Sequence, residues 1–126
     1  MADQAMVSIV DDDAAFRDSL RRLLKSLGYS VTAFPSAADF LGSSLIASTD
    51  CLVADVHMPT MTGIELHRHL ISIGHAIPTI LITAFPDDRF RKSARSLGVH
   101  CYLSKPLEEA ALIGCLQSAV AHGQPP

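Results

Sequence analysis

Cys51-Leu52-Val53-Ala54-Asp55 places four apolar side chains in succession and then a carboxylate. A strand wetted on one face alternates apolar with polar residues, whereas an unbroken apolar run suits a strand covered on both faces, as in a parallel sheet flanked by helices. Asp55 then emerges where its strand leaves the sheet. Thr79-Ile80-Leu81-Ile82-Thr83 repeats the pattern after Pro78, and Met6-Val7-Ser8-Ile9-Val10 precedes the abrupt acidic turn Asp11-Asp12-Asp13. Tyr29 to Phe34 is strand-like, and Val99 to Leu103 forms a fifth strand ending before Ser104-Lys105-Pro106.

Helical patterns fill the intervals. Phe16, Leu20, Leu23, Leu24 and Leu27 fall at helical spacing, with Arg17, Arg21 and Lys25 as a polar stripe and Gly28 as the stop. Ser36-x-x-Asp39 and Thr62-x-x-Glu65 resemble capping boxes, the first opening a short helix through Phe40 and Leu41. The second precedes Ile64, Leu66, Leu70 and Ile71, so Met58-Pro59-Thr60-Met61 is read as a loop feeding the third helix. The fourth helix is expected from about Asp87 to Leu97 with Gly98 after it, and the fifth from about Glu108 to Ala121. Asp13 is read as a helix cap.

Strands alternating with helices imply parallel strands joined by right-handed crossovers, with helices on both faces of one sheet. Functional groups in such sheets collect at the carboxyl ends of the strands. That rule draws Asp11, Asp12, Asp55, Thr83 and Lys105 into one site, because each stands where its strand ends. Three carboxylates in a partly desolvated crevice repel one another and call for a bound cation or raised pKa values. Oxygen ligands beside a phosphoryl group suit Mg²⁺, with Mn²⁺ as the alternative, better than zinc. Lys105 would supply a point charge and Thr83 a hydroxyl donor to phosphoryl oxygens, a set suited to phosphoryl transfer.

With the acidic turn VDDD at 10–13, ADVHMP around Asp55, Gly63, ITA at 82–84 and KP at 105–106, the sequence resembles the receiver domain of bacterial two-component response regulators. VDDDAAFRDSLRRLL, GYSVTAF and SAADFL make it most similar to receivers of the LuxR-type helix-turn-helix class. The resemblance implies an α/β, flavodoxin-like doubly wound (βα)5 fold with a five-stranded parallel sheet of order 2-1-3-4-5. It assigns phosphoryl acceptance from a sensor histidine kinase, or from a small acyl phosphate, to Asp55. Asp11, Asp12, Asp55 and the backbone carbonyl of His57 would hold the metal, Asp11 mainly through water. Thr83, Ala84, Lys105 and Tyr102 would bind the phosphoryl group and switch, Tyr102 turning inward as Thr83 moves. His57 and Phe85 are taken to tune phosphoryl lifetime, and the Lys105-Pro106 bond is expected to be cis. The resemblance further implies a phosphorylation-dependent homodimer, with DNA reached only through a separate output domain. Leu107 departs from the phenylalanine many receivers carry after KP, and Phe85-Pro86-Asp87-Asp88 is an unusual loop for the family.

Composition bounds the rest. A chain of 126 residues, 48% apolar with net charge -3, fits one domain, expected at residues 1–122 with 123–126 as tail or start of a linker. The His122–Pro126 stretch reads as a frayed end or linker. No run approaches the roughly 20 apolar residues of a membrane span, and MADQAM lacks a secretion-signal pattern, so a cytoplasmic protein without membrane contact is expected. Cys51, Cys101 and Cys115 form no CxxC pair and are expected to be reduced, mostly buried thiols. His67 and His69 are expected at the surface; the basic residues 89, 91, 92 and 95 read as a solvated face or a dimer contact, and the Arg17-Arg21-Lys25 stripe as solubility or kinase docking. A true enzyme, such as an aspartate-based phosphohydrolase, is disfavoured because His57 stands where a second carboxylate would be wanted, and the intact site residues disfavour a pure interaction module. A flavin protein of this topology is disfavoured because three aspartates would repel its phosphate.

Overall fold

The computed structural model describes residues 5–123, in which five strands and five α-helices alternate. The strands are β1 (Met6–Val10), β2 (Ser30–Phe34), β3 (Cys51–Asp55), β4 (Thr79–Thr83) and β5 (Cys101–Ser104), paired in parallel in the order β2-β1-β3-β4-β5. All five residues of β3 and of β4 are buried, as unbroken apolar runs require of strands covered on both sides. Two apolar clusters lie on opposite faces of the sheet. Leu52, Ala54, Leu66, Leu70 and Leu81 mark one; Ile9, Val53, Leu24, Ile80, Ile82, Leu112 and Leu116 mark the other. Successive β3 residues thus point to alternate faces, the period of two that a strand imposes.

The helices are α1 (Ala14–Ser26), α2 (Ala37–Leu41), α3 (Gly63–Ser72), α4 (Asp88–Ser96) and α5 (Glu109–Gly123), with a short 3-10 turn at Ile46–Ser48. Asp13 caps α1 by accepting from the N–H groups of Ala15 and Phe16. The Thr62–Glu65 capping box is complete, at 3.1 Å and 2.9 Å; at Ser36 only the bond from Asp39 N–H is made. Gly28 and Gly98 follow their helices with φ of 97° and 81°, where a Cβ would be strained.

Several expectations require correction. Cys101 and Cys115 are disulfide-bonded rather than reduced, because β5 and α5 pack with these two Cα atoms 6.3 Å apart, within bridging range. Cys51 is the free, buried thiol, and desolvation pushes it up to about 12. His67 is buried rather than at the surface: Nδ1 lies 2.9 Å from Thr79 Oγ1 and Nε2 3.1 Å from the Leu97 carbonyl, so both ring nitrogens are partnered. Ile71, expected on the apolar stripe of α3, is instead exposed. Arg17 leaves the expected polar stripe to donate to the Asp11 carbonyl at 2.7 Å, tying α1 to the end of β1. Residues 122 and 123 extend α5, and 124–126 of the expected tail lie outside the described residues. Among the described residues no helix is long and apolar enough to cross a membrane.

Candidate functional site

Parallel register brings the strand ends level. Val10 pairs with Ala54, so Asp11 and Asp55 leave adjacent strands side by side; Asp55 itself pairs with Ile82, one residue before Thr83. Thr83 pairs with Ser104, and Lys105 N–H donates to the Thr83 carbonyl at 2.7 Å. Val56 N–H likewise donates to the Ile82 carbonyl at 2.8 Å, fixing where the chain turns after Asp55. The five residues picked from strand ends therefore gather at one edge.

Asp11, Asp12 and Asp55 each offer a carboxylate oxygen within 4.8 Å of the others. Asp11 and Asp55 are buried and Asp12 is exposed, so the cluster opens to solvent on the Asp12 side. Burial and the neighbouring Asp11 charge push the Asp55 carboxyl up to about 6, against the opposing pull of Lys105 and a backbone hydrogen bond from His57. Burial also raises Asp11, offset by the Asp13 backbone N–H on Oδ1 at 2.8 Å and by Lys105. Lys105 Nζ stands 3.2 Å from Asp11 Oδ2, 4.0 Å from Asp55 Oδ2 and 4.1 Å from the centre of the Phe16 ring. Among the described residues one close ammonium thus meets Asp11 and Asp55, with Asp12 beside them, and a divalent cation held by oxygen ligands fits the charge that remains.

The Lys105-Pro106 peptide is cis, as the resemblance implied. Thr83 is fully buried, and its Oγ1 accepts from Phe85 N–H at 2.9 Å. A hydroxyl that accepts on one lone pair keeps its proton to donate. Ala84, next in the chain, is exposed. Tyr102 packs against the cluster containing Leu81, beneath the Arg91 guanidinium 5.2 Å from its ring. Among the described residues no hydrogen bond reaches its buried hydroxyl, and burial raises its pKa despite the approach of the Asp87 backbone.

His57 is exposed on the loop leaving β3, its ring centre 5.7 Å from that of Phe85 and 5.4 Å from that of Phe90, both contacts edge-to-face. Phe90, on α4, escaped sequence reasoning because its only signal was a single large apolar side chain in a mostly polar helix. Arg17 was missed for a similar reason, since a basic residue on a polar stripe looks solvated until its carbonyl partner is in view.

In the loop between Asp55 and α3, Thr60 holds a φ of 72°, the single non-glycine residue with positive φ among those described. Gly63 allows α3 to sit against the end of β3: a Cβ there would lie 2.5 Å from the Asp55 carbonyl oxygen and 2.9 Å from Leu81 Cδ2.

The sequence pattern of the response regulator receiver domain matches residues 7–117. The chain is 36% identical over 125 residues to the transcriptional regulatory protein FixJ of Bradyrhizobium diazoefficiens, spanning 99% of this chain and 61% of that protein. It is 36% identical over 121 residues to the response regulator protein TodT of Pseudomonas putida, spanning 95% of this chain and 53% of that protein. It therefore spans little more than half the length of these relatives. Among solved structures, that of FixJ-N superposes with a TM-score of 0.85 at 34% identity, covering 97% of both chains. The response regulator StyR gives a TM-score of 0.88 at 37% identity, covering 96% of this chain and 61% of that one.

Proposed function

Because the chain belongs to the response regulator receiver domain family, we propose that Asp55 is its phosphoryl acceptor in two-component signalling. The observation that carries this reading is the cluster of Asp11, Asp12 and Asp55 at the carboxyl edge of the sheet, with burial raising Asp11 and Asp55 and Lys105 Nζ close to both. A sensor histidine kinase or a small acyl phosphate supplies the phosphoryl group. Asp55 attacks phosphorus, the bond from phosphorus to the donor nitrogen or oxygen breaks, and the donor keeps that electron pair.

Asp12, Asp55 and the His57 carbonyl would hold Mg²⁺, or Mn²⁺ in its place, with Asp11 acting mainly through water. Bound there, the ion supplies charge neutralisation for the phosphoryl oxygens. Lys105 exchanges part of its carboxylate contact for a phosphoryl oxygen, and Thr83, with Ala84 beside it, moves to donate to another. Tyr102 follows Thr83 inward; its hydroxyl, without a hydrogen bond among the described residues, supports a side chain with two positions of similar energy. The surface of β4, α4 and β5 is then the output face, controlling a homodimer or a separate DNA-binding domain in the cytoplasm. His57 and Phe85 set how readily water reaches the phosphoryl group. The domain turns over no other substrate.

The test is intact mass after incubation with Mg²⁺ and acetyl phosphate, for wild type and Asp55→Asn. Wild type should gain about 80 Da and the variant nothing, as single acceptance at one carboxylate requires. A gain by the variant, or multiple turnover of unrelated phosphoesters, defeats the assignment.

A further inference from the structure

We propose that Phe90 is a positioning residue that slows loss of the phosphoryl group from Asp55 by holding the His57 imidazole across the mouth of the site. The inference rests on Asp55 being the acceptor. Its own observation is the ring cluster. His57 presents its imidazole edge-to-face to Phe90 at 5.4 Å and 84°, and to Phe85 at 5.7 Å and 78°. These rings come from three places: the loop after β3, the loop after β4 and the first turn of α4.

Neither phenyl belongs to the two apolar clusters of the fold; Phe85 is 70% exposed and Phe90 38%. Single exposed apolar side chains are ordinary, but two phenyl rings packed on one exposed imidazole form a patch, which is the informative case. α4 buries only Ala94, so packing of the helix does not explain Phe90. What Phe90 does contact is His57, two residues beyond Asp55, and the Phe85 that shares the cluster donates its backbone N–H to Thr83 Oγ1 at 2.9 Å.

Hydrolysis of the aspartyl phosphate requires water to approach phosphorus in line. The water oxygen forms the new P–O bond, the bond to the Asp55 oxygen breaks with its electron pair returning to the carboxylate, and the proton lost passes to solvent. A three-ring roof narrows the approach. With Phe90 removed, His57 keeps only Phe85 as a ring partner and opens more often.

The placement of Phe90 on α4 adds a consequence. Its neighbour Arg91 covers the Tyr102 ring, and the helix cap Asp87 approaches the Tyr102 hydroxyl. A shift of α4 that repositions Tyr102 therefore also changes the Phe90–His57 contact. Phosphoryl lifetime becomes sensitive to whatever binds α4.

The experiment follows loss of radiolabelled phosphate from the full chain after labelling with acetyl phosphate and Mg²⁺. Phe90→Leu should lose label about three- to tenfold faster than wild type, the scale expected of contacting residues, and Phe90→Tyr should restore a rate within about twofold. In a His57→Ala background, Phe90→Leu should add nothing. Equal rates for folded wild type and Phe90→Leu, failure of Phe90→Tyr to rescue, or full additivity with His57→Ala overturns the proposal. If wild type acquires no label at all, the acceptor assignment itself fails, an outcome visible before any Phe90 variant is compared.

Discussion

Lys105 carries an unusual share of the electrostatics: a single Nζ serves Asp11 at 3.2 Å, Asp55 at 4.0 Å and the Phe16 ring face at 4.1 Å. Such a compact, rotatable ammonium can release one partner for another without leaving the site, which a planar guanidinium would do less easily. Tyr102 shows the opposite economy. Among the described residues no hydrogen bond of good geometry reaches its buried hydroxyl, and a buried donor left unmade costs about 1–3 kcal/mol. Tyr102→Phe removes that hydroxyl while keeping the ring that packs below Arg91. We expect urea melts to show a gain of about 1 kcal/mol in the unphosphorylated protein. A loss of that size would mean the hydroxyl has a partner and that Tyr102 is not poised between two positions.

At the scale of elements, the connection from β3 into α3 holds two backbone demands of opposite sign. Gly63 lets α3 approach so closely that a Cβ would sit 2.5 Å from the Asp55 carbonyl oxygen, and main chain cannot swing away as a side-chain tip can. Gly63→Ala should therefore cost about 2–3 kcal/mol, at the upper end for overpacking, and displace Asp55 with it. Thr60 is the converse, a β-branched residue at φ 72°. Left-handed backbone costs such a residue about 1–2 kcal/mol, while glycine gives back about 0.5–1 kcal/mol through the flexibility of the unfolded chain. Thr60→Gly should yield a net gain between about 0 and 1.5 kcal/mol. Chemical melts of the two variants check both signs, and a neutral Gly63→Ala would contradict the close approach. Neither demand has a chain-local signature beyond a glycine at the start of α3 and a threonine in the loop before it. The strand ends were legible because period and polarity change sharply at Asp11, Asp55, Thr83 and Lys105, and parallel topology then leaves one place for them to meet. The helix starts at Asp13 and Thr62 were legible for a similar reason, since capping is decided within a few residues. The Cys101–Cys115 bridge, the burial of His67 and the Phe90–His57 contact each join a helix to another element of the fold, even where, as with β5 and α5, the two are consecutive in the chain. They depend on how helices lie against the sheet, which the local pattern does not specify.

For the whole molecule, the carboxylate cluster makes stability depend on pH and on divalent cation together. Asp55 has its pKa raised from 3.8 to about 6 on folding, chiefly by burial and then by the Asp11 charge, so the native state binds a proton more tightly than the unfolded chain. Between those values the native state carries more protons, and unfolding free energy must fall as pH rises. The penalty is absent below about pH 4 and complete above about pH 6, reaching roughly 3 kcal/mol for a shift of this size. Asp11, also raised, acts in the same direction. Asp18 and Asp87, whose pKa values are lowered, influence stability only as pH falls toward and below their ordinary value, outside this window. A cation bound by the ionised cluster stabilises only the folded state, and protons compete with it for the same oxygens. Adding Mg²⁺ should therefore raise the melting temperature by several degrees at pH 7.5 and scarcely at pH 5, with chelator reversing the gain. Asp55→Asn removes the titrating group, so the variant should be more stable than wild type at pH 7.5 without Mg²⁺ and should lose most of its response to the ion. Thermal melts of both proteins across pH 4.5 to 8, with Mg²⁺ and with chelator, make the comparison. A Mg²⁺ increment that stays constant with pH, or one retained in full by Asp55→Asn, would separate the carboxylate cluster from the cation and remove the electrostatic basis for phosphoryl chemistry at Asp55.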